Sequence, residues 1–411
     1  MTEHMPSDEI TPDTNSSPNP AEAPTPAAGP IPSDWNPQGP RARRDALTVY
    51  DEMRAHCPVA RGPSGAWTLF GHADVTAAAL DHETFSNGVS RHLQVPNGLD
   101  GPAHTAFRAL VERYFTRERM AVLEPVVQQV AEDLVAQLEV PGPVDAVELG
   151  ARFAVRAQTA WLGWPAELED ELLQWMEDNR AATRSRDRAR TAEVAQRFDA
   201  IIRSLTDARR EAGAGAPEDV TTELVHDRVD GRELTDEEIV SVLRNWTGGD
   251  LGSMALCTGV VLARLADHPG LQDRLREGVP DREFDAVLDE ILRIDDPFVV
   301  NRRVTTEPVT VGGRRFAAGD RVFLNWTSAN RDPRMFGDPD AFDPAGNAPY
   351  NLVWGIGKHV CPGRPLATLE LRALTRAVLA ATATIGPDPG RPRERELPPV
   401  GGYAAVPLRL G

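Results

Sequence analysis

The 411 residues are enough to bury a large core, and the excess of 62 acidic over 44 basic residues, a formal charge of -18, argues against nucleic acid or an anionic membrane as partner. Three cysteines, Cys57, Cys257 and Cys361, are too few and too scattered for a disulfide framework or a tetrahedral zinc site, and they fit a reducing compartment. No run reaches the ~18 apolar residues of a membrane span, and the first residues are not basic and apolar, so a soluble cytoplasmic protein is expected.

Residues 1–34 carry Pro18, Pro20, Pro24, Pro26 and Pro30 among Ala, Ser, Thr and Glu, a composition that cannot bury enough apolar surface to order itself. A disordered tail is expected there, followed by one catalytic domain over 35–411. Thr68 to Phe70 reads as a short strand. Helical periodicity then dominates to residue 294, best over Met120 to Leu138, Glu193 to Arg210, Asp236 to Ala266 and Phe284 to Ile294. Shorter β-rich runs follow, Phe298 to Val304, Val309 to Val311 and Arg321 to Trp326, and predict a minor sheet. A loop rich in Asp, Pro and Gly, Asn330 to Tyr350, leads toward Cys361, and a last helix is expected over Pro362 to Ala380.

The longest helical pattern, Asp236 to Ala266, has Thr235 as its N-cap and Glu238 three residues on, the spacing of a capping box. Its middle reads Trp246-Thr247-Gly248-Gly249-Asp250-Leu251-Gly252. Each mid-helix glycine costs about 1 kcal/mol relative to alanine, so close approach of a ligand or close helix packing must account for them.

The segment Trp354-Gly355-Ile356-Gly357-Lys358-His359-Val360-Cys361-Pro362-Gly363 places one cysteine just before a helix, where backbone N-H groups and the helix dipole favour a thiolate. It resembles the haem-binding loop of the cytochrome P450 family, an aromatic residue followed by Gly-x-Gly-x-His-x-Cys-x-Gly, with Trp354 where Phe is usual. The resemblance implies a mainly α fold with a minor β-sheet region around a buried haem b, iron protoporphyrin IX, with Cys361 as the metal's axial ligand. The indole N-H of Trp354 is expected to alter hydrogen bonding and packing beside the sulfur.

Further matches fall in the family's chain order. Glu290-Ile291-Leu292-Arg293 is a Glu-x-x-Arg pair, in the family a structural lock behind the haem, and its i, i+3 spacing puts both side chains on one helix face. The arginine that often completes this lock after the Asp343-Pro344 dipeptide is replaced by Gly346. His104 and Arg108, together with Arg303 and His359, resemble the residues that meet the haem propionates.

In the long helix the family pattern of a small residue, Gly, an acid and Thr aligns on Thr247, Gly248, Asp250 and Leu251, so the alcohol is absent. A leucine side chain cannot carry a hydrogen-bonded proton relay. Asp250 is expected to organise a water relay, or else to be structural, and Thr247, Asn245 or Ser253 would hold the water. No flavin or iron-sulfur motif is present, so electrons are expected from a separate ferredoxin or flavodoxin with its reductase, docking beside Lys358 and Arg364. A small organic substrate is expected against Phe85 to Leu99, Arg244 to Gly252 and Asp296 to Asn301, with Arg91, Asn97, Arg244 and Asn301 as polar contacts. Two other readings stay open: a peroxide-driven peroxygenase or decarboxylase, and a haem sensor without catalysis.

Overall fold

A computed structural model describes residues 34–185 and 187–411. The tail expected over 1–34 lies outside the described residues except for Asp34, whose backbone N-H donates to Arg61 O at 2.8 Å. The rest is helix-rich with small sheets.

The central helix spans Asp236–Asp267, and both halves of the capping box form: Glu238 N-H donates to the Thr235 hydroxyl, and Thr235 N-H to the Glu238 carboxylate. It is long and apolar enough to cross a membrane, but 67% of its most apolar stretch is buried inside the fold. Helices Ala146–Leu162 and Arg364–Ala381 pack on it, the latter beginning two residues later than the sequence pattern suggests. Helix Ala146–Leu162 is buried except along the narrow stripe of Glu148, Arg152 and Arg156, which the sequence reading passed over.

Strands follow the expected runs closely. Trp67–Leu69 pairs antiparallel with Val59–Arg61 and parallel with Arg321–Asn325, which pairs antiparallel with Val300–Thr305, and Phe85–Ser86 forms the far edge. A second sheet that the sequence did not announce joins Ile385–Pro387, Pro407–Leu410 and Gly142–Asp145. It ties the end of the chain to the foot of helix Ala146–Leu162, where Ala146 N-H donates to Val406 O at 2.9 Å.

The Glu-x-x-Arg pair holds the connection between sheet and cysteine loop. Arg293 is fully buried and donates twice to Glu290, at 2.8 and 2.9 Å, and to the carbonyls of Asn330, Pro339 and Ala341. Where Gly346 left the lock without its third member, the next residue supplies one: Asn347 Nδ2 donates to Glu290 Oε1 at 2.7 Å, and Asp343 N-H donates to the same oxygen at 3.0 Å. An amide and a backbone N-H thus replace the missing guanidinium. Replacing Arg293 by Leu leaves the buried Glu290 charge without a cation and with only the Asn347 amide and the Asp343 N-H to meet it, and the expected loss is about 3–5 kcal/mol of unfolding free energy in a denaturant titration. A loss below about 1 kcal/mol would show that the buried pair is not what holds this segment.

Candidate haem-thiolate site

Gly355 and Gly357 both sit at φ +73°, a conformation other residues adopt rarely, and a Cβ on Gly357 would lie 2.7 Å from Leu80. These turns bring the chain back on itself so that Cys361 N-H donates to Trp354 O at 2.8 Å. The sulfur then receives the amides of Gly363 and Arg364. Burial nevertheless raises the thiol above its ordinary range, against the Gly363 amide and the Arg108 charge. The dipole argument from sequence is therefore insufficient alone: a thiolate here requires a cation facing it, which a metal provides.

The Trp354 indole does not turn to the sulfur. Its N-H donates to Asp289 Oδ1 at 2.7 Å, and Arg364 donates to Asp289 Oδ2 at 2.9 Å, so the larger ring tethers the loop to helix Asp281–Ile294.

Cys361 opens on a cavity of about 570 Å³ that Arg303 and His359 also line. Arg303 is buried, its Nε has no partner, and its one hydrogen bond goes to the Arg302 carbonyl. Burial pulls its pKa down to about 10, with only Asp100 opposing. His359 is pulled down to about 3 by burial, then by His104 and Arg303. The rings of His104 and His359 lie 4.1 Å apart, and His104 Nδ1 is buried without a partner. His359 Nε2 lies 2.9 Å from Asn87 Nδ2 and 3.6 Å from Asp100, so the groups left open are Arg303 Nε and His104 Nδ1, and a carboxylate at this end would answer them. Arg108 is already engaged: it donates to Val360 O and to Glu112, both at 2.6 Å. It braces the cysteine loop, and neither it nor His104 is among the cavity-lining residues.

Across the cavity runs the glycine stretch of the central helix. A Cβ on Gly248 would make ordinary contact with Trp175 and Phe198, but on Gly249 it would meet nothing within 4 Å. Protein packing therefore requires glycine at neither position, and both line the cavity and leave room for a flat ligand. An iron porphyrin therefore fits the residues present: a sulfur for the metal, buried donors for its carboxylates, and clearance over its face.

Asp250 also lines the cavity, and its Oδ2 is buried without a hydrogen bond. Thr247 is fully buried, absent from the lining, and bonded through its hydroxyl to Leu243 O. Ser253 and Asn245 reach the lining, but the Ser253 hydroxyl donates to Gly249 O and the Asn245 amide to Val95 O at 2.8 Å. Each therefore spends its donor on the backbone. Leu251 is wholly buried.

Of the expected substrate contacts, Asn97 and Asn301 line the cavity together with Phe298, Val300 and Gln94. Arg244 does not, because Asp199 at 2.7 Å and the Leu93 carbonyl hold it, and Arg91 is not in the lining either. The sequence reading missed Gln158 and Phe115, both in the lining, and Glu370 behind it. Only their burial on helices marks them.

The family model "Cytochrome P450" matches residues 173–381. The cyclomarin C epoxidase CymV of Salinispora arenicola is 32% identical over 78% of this chain and 84% of its own length. The erythromycin C-12 hydroxylase of Saccharopolyspora erythraea is 30% identical over 80% and 85%. Among solved structures, the open form of cytochrome P450 EryK from S. erythraea superposes with a TM-score of 0.81 at 28% identity, covering 90% of this chain and 96% of that one.

Arg303→Leu removes the buried cation that lacks a carboxylate, and a charge-assisted hydrogen bond is worth about 1.5–3 kcal/mol. Haem retention against a competing haem-binding protein is expected to weaken about 10–100-fold. Unchanged retention would mean that no haem carboxylate sits at this end.

Proposed function

We propose, from the premise that this chain belongs to the cytochrome P450 family and is a haem monooxygenase, that Cys361 is the thiolate ligand of a b-type haem whose carboxylates meet Arg303, His359 and His104, with Arg108 bracing the loop. The observation that carries this reading is the single cavity shared by the buried Cys361 sulfur and the Arg303 side chain, whose Nε has no partner. When bound, the haem supplies dioxygen activation, with the thiolate favouring O-O cleavage.

The protein's own contribution follows from the lining. Phe298, Val300 and Phe115 give a small organic substrate an apolar wall, and Asn97 and Asn301 orient its polar groups. Leu251 is buried in the core and absent from the lining, and Asp250 presents a carboxyl for proton transfer. Thr247, bonded back to its own helix, is assigned no more than shaping the backbone there. By analogy with the epoxidase and hydroxylase relatives, the reaction is epoxidation or hydroxylation. The peroxide-driven and sensor readings receive no comparable support, and no arginine flanks Asp250 in the chain.

On this reading electrons are delivered by a separate ferredoxin or flavodoxin with its reductase. Lys358 is exposed beside His82, and Arg364 is half exposed over Asp289, both close to the thiolate loop. An acidic partner fits this spot, in the cytoplasm where such carriers work. Reversing both charges, Lys358→Glu with Arg364→Glu, is expected to slow reduction about 10-fold at low salt, with the gap narrowing as salt is added. Stopped-flow absorbance reads this, and salt-independent, unchanged reduction would remove the partner from this face.

The reading as a whole is tested by the reduced protein under carbon monoxide. A strongly red-shifted Soret band is expected, lost in Cys361→Ala together with turnover. A band at the ordinary haem-protein position in the parent would overturn the assignment.

A further inference from the structure

Aromatic rings lead from the cavity wall to an ion pair that reaches solvent. Trp246, on the central helix, lines the cavity together with Cys361, and its ring centroid lies 5.0 Å from that of Tyr114 and 5.2 Å from that of Trp161. Phe115 packs on both indoles, 5.6 Å from Trp246 and 5.1 Å from Trp161. Apolar packing alone does not account for this choice of rings. The Trp246 N-H is buried with no acceptor, a cost that phenylalanine in its place would avoid. Tyr114 is 0% exposed, and its hydroxyl donates to Asp227 Oδ2 at 2.9 Å. Asp227 also takes Arg113 at 2.7 Å on both oxygens, and the Arg113 side chain is 55% exposed. Indole and phenol give up an electron far more readily than phenylalanine, and here they stand in ring contact with a proton acceptor at the outer end.

We propose that Trp246 and Tyr114 form an electron-donor route that quenches the oxidised haem when no substrate occupies the cavity. This goes beyond monooxygenation but rests on that reading, since the oxidant is the haem after its reaction with dioxygen or peroxide. In the first step Trp246 gives one electron to the oxidised haem. Its N-H has no acceptor, so the indole keeps its proton and is left as a radical cation. In the second, Tyr114 gives one electron to Trp246 and its hydroxyl proton to the Asp227 carboxylate, which restores the indole and leaves a neutral phenoxyl radical. The Arg119 guanidinium stands 5.0 Å over the Tyr114 ring and disfavours positive charge on it, so electron and proton leave together. A soluble thiol or ascorbate then returns one electron to Tyr114, and Asp227 returns the proton. In sum the haem gains one electron, the external reductant loses one, and the protein is unchanged.

The test is electron paramagnetic resonance of the haem-loaded ferric protein, frozen rapidly after mixing with hydrogen peroxide without substrate. The parent should show a tyrosyl signal that narrows when the protein is made with ring-deuterated tyrosine. Tyr114→Phe, which keeps the ring packing, should lose that signal, and Trp246→Phe should lose most of it. Asp227→Asn, which removes the proton acceptor, should lower its yield about 10-fold. Bleaching of the Soret band by peroxide should be faster in each variant than in the parent, with the red-shifted carbon monoxide band retained. Tyr114→Phe and Asp227→Asn lie outside the cavity lining and carry the test if Trp246→Phe does not fold. A tyrosyl signal that is absent from the parent, survives in Tyr114→Phe, or is undiminished in Trp246→Phe or Asp227→Asn overturns the route. Absence of the carbon monoxide signature in the parent would instead count against the haem-thiolate assignment.

Discussion

A guanidinium withdrawn from water must be met on every side, and Arg293 is met by one carboxylate and three carbonyls from three separate stretches of chain. Because Glu290 in turn takes the amide of Asn347 and the backbone of Asp343, the helix that carries both charges clamps the irregular segment running up to the cysteine. Asn330, whose carbonyl serves Arg293, also accepts Leu352 N-H at 2.7 Å through its side chain, and Asn351 donates to Asp289 O at 3.0 Å. A segment made of short turns and single helical turns has little stability of its own. Its position is borrowed from this one cation, and the placement of the sulfur is borrowed from the segment.

The cavity inherits a polarity from its two walls. On one side stands Arg303, whose Nε lacks an acceptor; on the other, the central helix presents the Asp250 carboxyl. A buried cation and a carboxyl that line the same cavity set a field within it. A planar dianion anchored by its acid groups answers the first, and mobile protons answer the second.

The cysteine loop was legible because its glycines are a conformational requirement, and turns at positive φ advertise themselves in sequence. The capping box and the strands bordering the sheet were legible for the same local reason. Asn347 was not: the lock was sought as a charge, and the fold supplies an amide one position further on. Gln158 and Glu370 were hidden by context, Gln158 on the buried side of its helix and Glu370 in a helix whose other polar residues read as a solvated edge. Placing them beside the cavity requires knowing that their helices touch a third.

Lys358 has a use of its own. It is the one lysine side chain in the sequence, exposed, three residues before the sulfur, with its Nζ 2.9 Å from His82 Nε2. Amine-selective chemistry would therefore reach a single side chain, and that side chain stands where an electron carrier is proposed to settle. A fluorophore or cross-linker attached there would report on arrival of the carrier without any residue being exchanged.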